Sequence, residues 1–292
     1  MTTSTPDTGL TEHTVTVKGE PIFYAEAGQG PPVVMLHGGG PGASGVSNYS
    51  RNIAALAQNF RVIVPDMPGY GRSTKKPDHN DTYRYIADMI RGLLDHLGID
   101  TAHLIGNSLG GAASLRLALD TPHRVSKLVL MGPAGIGSTR GLPTAGTLSL
   151  LNYYTGSGPS RDKIATFIRT YLVYDGSSVS DELIDLRYQA SIDPEVLANP
   201  ILKRPSKPQT IWRSDLTRDS GLKHLQTPTL VLWGKDDKVN KPAGGPALLT
   251  TMPNVELVMT SQTGHWMQWE RAELFNQLVT DFLRPSAAWA RP

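Results

Sequence analysis

The sequence predicts an α/β protein: a mostly parallel, eight-stranded sheet with a helical segment inserted after the sixth strand. Three observations lead there. Short β-branched runs alternate with longer helical patterns, as they do where helices cover a parallel sheet. That rhythm stops between about residues 134 and 215 and returns after Gly221. The 292 residues are 39% hydrophobic and 18% charged, a balance that belongs to a folded chain and not to a disordered one.

Strands are expected at 14–18, 22–26, 33–36, 62–65, 103–106, 128–131, 229–233 and 255–259. Only Gly19, Glu20 and Pro21 separate the first two, so they read as a hairpin leading into the parallel part. Helical patterns fall at about 48–58, 82–97, 109–120, 242–250 and 272–283. The interruption opens with GPAGIGSTRGLPTAG and then turns helical. From Ile164, apolar residues at Phe167, Ile168, Tyr171 and Leu172 make the stripe of an amphipathic helix. A further helix is expected after Ser180 as N-cap, with Asp181 and Glu182 in the first turn, where the helix dipole favours acids. The chain therefore divides into a first core part, 1–133, a helical lid, 134–215, and a second core part, 216–292. An insertion of that length is usually functional.

Charge and composition exclude several functions. There are 28 basic and 26 acidic side chains, a net charge of +2, and no lysine/arginine block, so no nucleic-acid partner is expected. No apolar run approaches the roughly 18 residues that span a bilayer. The N-terminus, MTTSTPDTGLTEHTVTV, lacks the basic and then apolar blocks of a secretory signal. A cytoplasmic protein without a membrane partner is expected. With no cysteine, disulfides, thiol catalysis and cysteine–metal sites are excluded together. The eight histidines show no ligand spacing, so no metal is expected.

The strongest local signal is Gly106-Asn107-Ser108-Leu109-Gly110-Gly111, between the strand pattern AHLIG and the helix pattern LGGAASLRLAL. This is the strand–turn–helix setting in which a serine is held in strained backbone geometry at the entry of a helix. A serine hydroxyl needs a base, and the base needs an orienting group. His265, in the loop after the last strand, is the best placed base. Asp236 and Asp237 follow the apolar run TLVLW, and an acid three residues after Gly234 favours Asp237. The chain order Ser108, Asp237, His265 leaves room for the insertion.

A second glycine cluster, His37-Gly38-Gly39-Gly40-Pro41-Gly42-Ala43, follows the third strand. It satisfies the dinucleotide fingerprint G-x-G-x-x-G/A, with Asp66 ending the next parallel strand. Against that reading, a strand pair precedes the cluster, no helix pattern starts until about Asn48, and Pro41 removes an amide that a pyrophosphate would use. The alternative is an oxyanion loop, whose backbone N–H groups, with that of Leu109, face an oxygen that becomes negative. Asp66 reads as a residue that fixes its loop by accepting backbone hydrogen bonds. Arg187 follows Leu183 by four residues and Ile184 by three, so it shares their apolar stripe, while Glu182 and Asp185 face elsewhere. A guanidinium aimed at an apolar interior needs an anion, which a structural ion pair or a substrate carboxylate would supply.

These residues resemble the α/β-hydrolase fold and, within it, the meta-cleavage-product hydrolases, which split carbon–carbon bonds in 2-hydroxy-6-oxohexa-2,4-dienoates during aromatic degradation. The matching blocks are HGGGPGASGVSNYSRNI, DMPGYGRS, GNSLGGA, LVLMGPAG, WGKDDKVN and GHWMQWE. The resemblance implies Ser108, Asp237 and His265 as nucleophile, acid and base, and Gly39 and Leu109 as oxyanion amides. It implies Asn48, Asn107 and Arg187 as polar substrate contacts, with Trp266 beside the base. It further implies a small anionic dienoate as substrate, no cofactor, and self-association. Residues 136–160 carry no matching block, so the preference for aryl or alkyl groups on the 6-oxo carbon is left open. The competing functions are a carboxylesterase with the same triad and a catalytically quiet binding protein.

Overall fold

Alternation along the strands sets the architecture. The computed structural model describes residues 9–204 and 207–284. Residues 1–8, part of the stretch read for a signal, lie outside the described residues, as do 205–206 of the expected lid and 285–292 of the second core part. The eight strands are β1 (Thr11–Val17), β2 (Glu20–Ala27), β3 (Pro32–Leu36), β4 (Arg61–Pro65), β5 (Ala102–Asn107), β6 (Val125–Met131), β7 (Thr229–Gly234) and β8 (Val255–Thr260). They form one sheet in the order β1-β2-β4-β3-β5-β6-β7-β8, antiparallel at β1–β2 and β2–β4 and parallel elsewhere. Because side chains alternate, Val34, Leu36, Leu104, Leu128, Leu130 and Val231 face one apolar layer. Val33, Met35, Ile105, Val129, Leu230 and Leu232 face the other. The chain is an α/β protein with an apolar layer on each side of its sheet.

Helices α1 (Gly45–Tyr49) and α2 (Ile53–Leu56) join β3 to β4, α3 (Thr82–His96) joins β4 to β5, and α4 (Leu109–Asp120) joins β5 to β6. Between β6 and β7 lie α5 (Ala145–Leu151), α6 (Arg161–Thr166), α7 (Asp181–Ser191), α8 (Pro194–Ala198) and α9 (Pro208–Arg213). Helix α10 (Gly244–Thr251) joins β7 to β8, and α11 (Met267–Glu270) and α12 (Ala272–Leu283) follow. Phe275, Val279 and Phe282 of α12 are buried on one side of the sheet, and Ile86, Ile90 and Leu93 of α3 on the other. Each such side chain contributes about 1.5–3 kcal/mol relative to exposure. Among the described residues, no helix is long and apolar enough to cross a membrane.

Three local expectations are corrected. Strand β1 starts three residues before the expected 14–18, because Thr11, Glu12 and His13 pair with Glu26, Ala25 and Tyr24 at a polar sheet edge that shows no apolar alternation. Its hairpin turns on Lys18 and Gly19, with φ of 51° and 82°, and Glu20 already belongs to β2. The single helix expected at 48–58 is two helices. Ser44 caps the first in a reciprocal pair with Ser47, and Asn52 breaks the run by donating its side-chain amide to Gln268 O and Asn276 Oδ1. The stripe from Ile164 is helical, but Phe167–Leu172 widens into π-helical geometry before Val173.

The inserted helices have their own apolar cluster, in which Tyr153, Ile164, Phe167, Ile168, Leu172, Val179 and Ile184 pack with Val239 and Trp266 from the loops after β7 and β8. The two ends of the insertion are tied by the buried carboxylate of Asp215, which accepts from Gly137 N and from Thr139 N and Oγ1. The helical segment is thereby held over the carboxyl ends of the strands, where open α/β sheets bind ligands.

Candidate active site

Ser108 lies between the end of β5 and the first residue of α4, with φ of 52° and ψ of −111°. A residue with a side chain rarely adopts this conformation, which costs on the order of 1–3 kcal/mol. Ser108 N donates to Met131 O and Ser108 O accepts from Ala112 N, so sheet and helix both hold the turn. Its sharpness depends on Gly106, where a Cβ would lie 2.5 Å from Gly110 O, and Gly110 lets the helix start against β3, where a Cβ would lie 2.3 Å from Leu36 O.

His265 and Asp237 form a buried pair, Nδ1 to Oδ2 at 2.7 Å. The carboxylate accepts, so Nδ1 carries the hydrogen and the Nε2 lone pair is turned to the cavity. Three further donors orient Asp237: Trp233 Nε1 at 3.0 Å on Oδ2, and Val239 N and Asn240 N at 2.8 and 2.9 Å on Oδ1. Asp236 instead accepts from Thr263 N at 3.4 Å, away from the imidazole. His265 Nε2 is buried and has no hydrogen-bond partner among the described residues. Catalytic hydrogen bonds are often long in free enzymes and tighten with substrate. Ser108 and His265 line one cavity with Gly38, Gly39 and Gly40.

The glycine loop is held by His37, whose Nδ1 bonds Gly38 O at 2.8 Å while Nε2 accepts from Met67 N at 2.9 Å. Complete burial pulls its pKa down to about 4, which keeps the ring neutral and Nε2 an acceptor. Tyr70 Oη donates to Gly39 O at 2.8 Å. The amides of Gly39 and Leu109 donate to no other described residue. Leu109 N sits at the positive end of α4, and the Leu109 side chain packs against Gly39. Asp66 accepts from Gly45 N and Arg72 N, and it holds its loop without reaching the cavity.

Arg187 comes from α7 on the same side as buried Ile184, while Glu182 and Asp185 are exposed. It is 2% exposed and lines the cavity. Its Nε donates to Pro41 O at 2.8 Å, and no carboxylate pairs with it among the described residues. Burial lowers its pKa to about 10, partly offset by Tyr70, Tyr154 and Tyr153, so the guanidinium remains a cation near neutrality. Asn48 is buried with Oδ1 accepting from Trp266 Nε1 at 3.1 Å, and its Nδ2 has no partner among the described residues. Asn107 also lines the cavity, but its Nδ2 already reaches Met131 O and His265 O at 3.3 and 3.4 Å. Leu150, Phe167, Leu172 and Val239 give the cavity an apolar side.

The family model of the alpha/beta hydrolase fold matches residues 31–272. The chain is 40% identical over 267 residues to the 2-hydroxy-6-oxo-6-phenylhexa-2,4-dienoate hydrolase of Burkholderia cepacia, covering 90% of this chain and 91% of that one. The chain belongs to the meta-cleavage-product hydrolases. It is 39% identical, with the same coverage, to a 2-hydroxy-6-oxononadienedioate/2-hydroxy-6-oxononatrienedioate hydrolase of Comamonas testosteroni. Among solved structures, the meta-cleavage product hydrolase CumD of Pseudomonas fluorescens IP01 superposes with a TM-score of 0.82 at 33% identity, covering 92% of this chain and 96% of that one. Membership makes this protein a carbon–carbon bond hydrolase on the α/β-hydrolase fold.

Sequence reasoning gave no role to His37, Gly132, Trp233, Tyr70 or Glu270. His37 and Glu270 stand in the quoted blocks HGGGPG and GHWMQWE, where the residue types are plain but the partners are distant in sequence. Gly132, at φ of 44°, has no local signal for its closeness to His265 and Asp237.

Proposed function

We propose that this hydrolase cleaves 2-hydroxy-6-oxohexa-2,4-dienoates at the bond between carbons 5 and 6, with Ser108 as nucleophile, His265 as base and Asp237 as its orienter. The observation that carries this reading is Arg187, a buried cation with no carboxylate partner among the described residues, sharing one cavity with Ser108 and His265. An uncompensated charge in such a place needs an anion from the ligand. The guanidinium fits the substrate carboxylate in a bidentate pair.

With the carboxylate on Arg187, the free Asn48 Nδ2 serves the 2-oxygen and Asn107 closes the same wall. The extended dienoate then runs from Arg187 toward Ser108. The dienol first passes its 2-hydroxyl proton to carbon 5. Ser108 gives its proton to His265 Nε2 and attacks the 6-oxo carbon, and the Gly39 and Leu109 amides hold the oxyanion. The bond between carbons 5 and 6 breaks, its electron pair passes through carbons 4 and 3 to the 2-oxygen, and that oxygen takes the proton from His265 Nε2, so the fragment leaves as 2-hydroxypenta-2,4-dienoate. Water then releases the second carboxylic acid from Ser108. The 6-substituent falls against Leu150, Phe167, Leu172 and Val239, which favours an apolar group. Trp266 keeps Asn48 in place beside the base. The helices between β6 and β7 act as the lid over this path.

The enzyme is proposed to work in the cytoplasm on a small anionic substrate and to self-associate, as the family resemblance suggests. The test mixes the purified protein with the yellow 6-phenyl dienoate and with phenyl acetate, following bleaching and ester release. Bleaching with formation of benzoate and 2-hydroxypenta-2,4-dienoate supports the proposal. Ester release without bleaching points to a carboxylesterase, and binding without turnover to a receptor.

A further inference from the structure

Glu270 ends the block GHWMQWE and takes no part in the chemistry above. Its two carboxylate oxygens reach different parts of the molecule: Oε1 accepts from Gly264 N at 2.9 Å, next to His265, and Oε2 accepts from Tyr174 N at 2.7 Å, just past the lid's π-helical turn. A third bond joins the same two segments, from His265 N to Leu172 O at 2.8 Å. They approach so closely that a Cβ on Gly264 would lie 2.8 Å from Tyr174 N and 2.9 Å from Leu172 O. Leu172 also lines the cavity.

We infer that Glu270 is a positioning residue that locks the His265 loop to the lid, so that the imidazole and the apolar wall around the 6-substituent are set by one clamp. Only a carboxylate serves both amides. A glutamine of the same shape offers one oxygen and places an NH₂ against the other N–H. Burial raises the pKa of Glu270, the cost of holding a carboxylate there, and the backbone donors oppose that rise. Arg187, which would hold the carboxylate, lies on α7 and bonds Pro41 O outside the clamp, while Asn48 meets the clamped loop through the Trp266 side chain. Loss of the clamp therefore separates turnover from binding.

This inference rests on the assignment of His265 as base. The experiment compares wild type, Glu270→Gln, Gly264→Ala and Ser108→Ala with the 6-phenyl dienoate, and measures labelling of the serine by a phosphonate. For Glu270→Gln and Gly264→Ala, kcat and the labelling rate are expected to fall about tenfold or more, as for a catalytic group moved by a fraction of an ångström. KM should stay within about threefold, since the carboxylate contacts are kept. Circular dichroism and Tm report the folded fraction, against which each rate is normalised. Wild-type kcat and labelling in folded Glu270→Gln would overturn the clamp and leave the triad standing. Full activity in Ser108→Ala would instead overturn the triad itself.

Discussion

The guanidinium of Arg187 lies so close to Gly40 that a Cβ on that glycine would come within 2.6 Å of Nη2. The glycine loop thus gives up a side chain to seat a buried cation, and among the described residues the cation has Pro41 O as its hydrogen-bond acceptor, with the cavity beside it. Arg187→Ala is predicted to lower kcat/KM for the dienoate about 10- to 150-fold, the range for one or two hydrogen bonds to a charged group. Hydrolysis of a neutral ester should change far less. Arg187→Lys is expected to recover only part of the loss, because a point charge does not reproduce the fork. Steady-state kinetics on both substrates check this. Equal losses on ester and dienoate would speak against a carboxylate seat.

Gly132 stands behind the His265–Asp237 pair. A Cβ there would be 3.1 Å from both Asp237 Oδ2 and His265 Nδ1, and the backbone has φ of 44°. Gly132→Ala is predicted to cost about 1 kcal/mol of stability and to lower kcat by roughly tenfold with little change in KM. Urea denaturation with steady-state kinetics separates the two effects.

Trp266 Nε1 holds Asn48 Oδ1, which leaves Asn48 Nδ2 without a partner among the described residues and, in the proposed function, available to substrate. Trp266→Phe removes that donor and frees the amide to flip. KM for the dienoate is predicted to rise about 2- to 10-fold, the worth of one neutral hydrogen bond. Asn48→Ala in the Trp266→Phe background should add almost nothing, since both changes break one interaction. Additive effects in the double-mutant cycle would disprove the coupling.

His37 makes stability depend on acid. Its pKa is pulled from the ordinary 6.5 to about 4 by burial, so the native state binds fewer protons than the unfolded chain between those values. Its contribution is complete above pH 6.5 and is lost as pH falls toward 4, a change on the order of 3 kcal/mol. Protonation also removes the acceptor for Met67 N, so the glycine loop should loosen first. His103, also lowered to about 4 by burial, adds to the slope, while Glu270, raised by burial, opposes it, so the His37 part is the slope that His37→Asn removes. Urea denaturation from pH 7 to 4.5 on both proteins measures the effect, and the same pH profile in His37→Asn as in wild type would contradict it.

Most of the framework was legible because its signals are local. Each parallel strand is a short apolar run, and Ser108 stands between a strand pattern and a small-residue helix. Arg187 was readable as well, since the stripe it shares with Ile184 needs only the helical period. What escaped the sequence depends on contacts across long stretches of chain. The break after Tyr49 depends on Asn52 reaching Gln268 and Asn276, and the neutral state of His37 depends on its burial, with Nε2 taken up by Met67 N. Glu270 looks like an ordinary exposed acid until Gly264 and Tyr174 are seen on its two oxygens. The polar start of β1 reads as loop because an edge strand needs no apolar face.

The most direct measurement is the absorbance of the yellow 6-phenyl dienoate mixed with excess Ser108→Ala enzyme in a single turnover, with the products analysed at the end. Binding at Arg187 should persist as a shifted spectrum, while formation of benzoate slows by roughly 10³-fold or more. Benzoate formed at the wild-type rate would show that the hydroxyl of residue 108 does not open the bond.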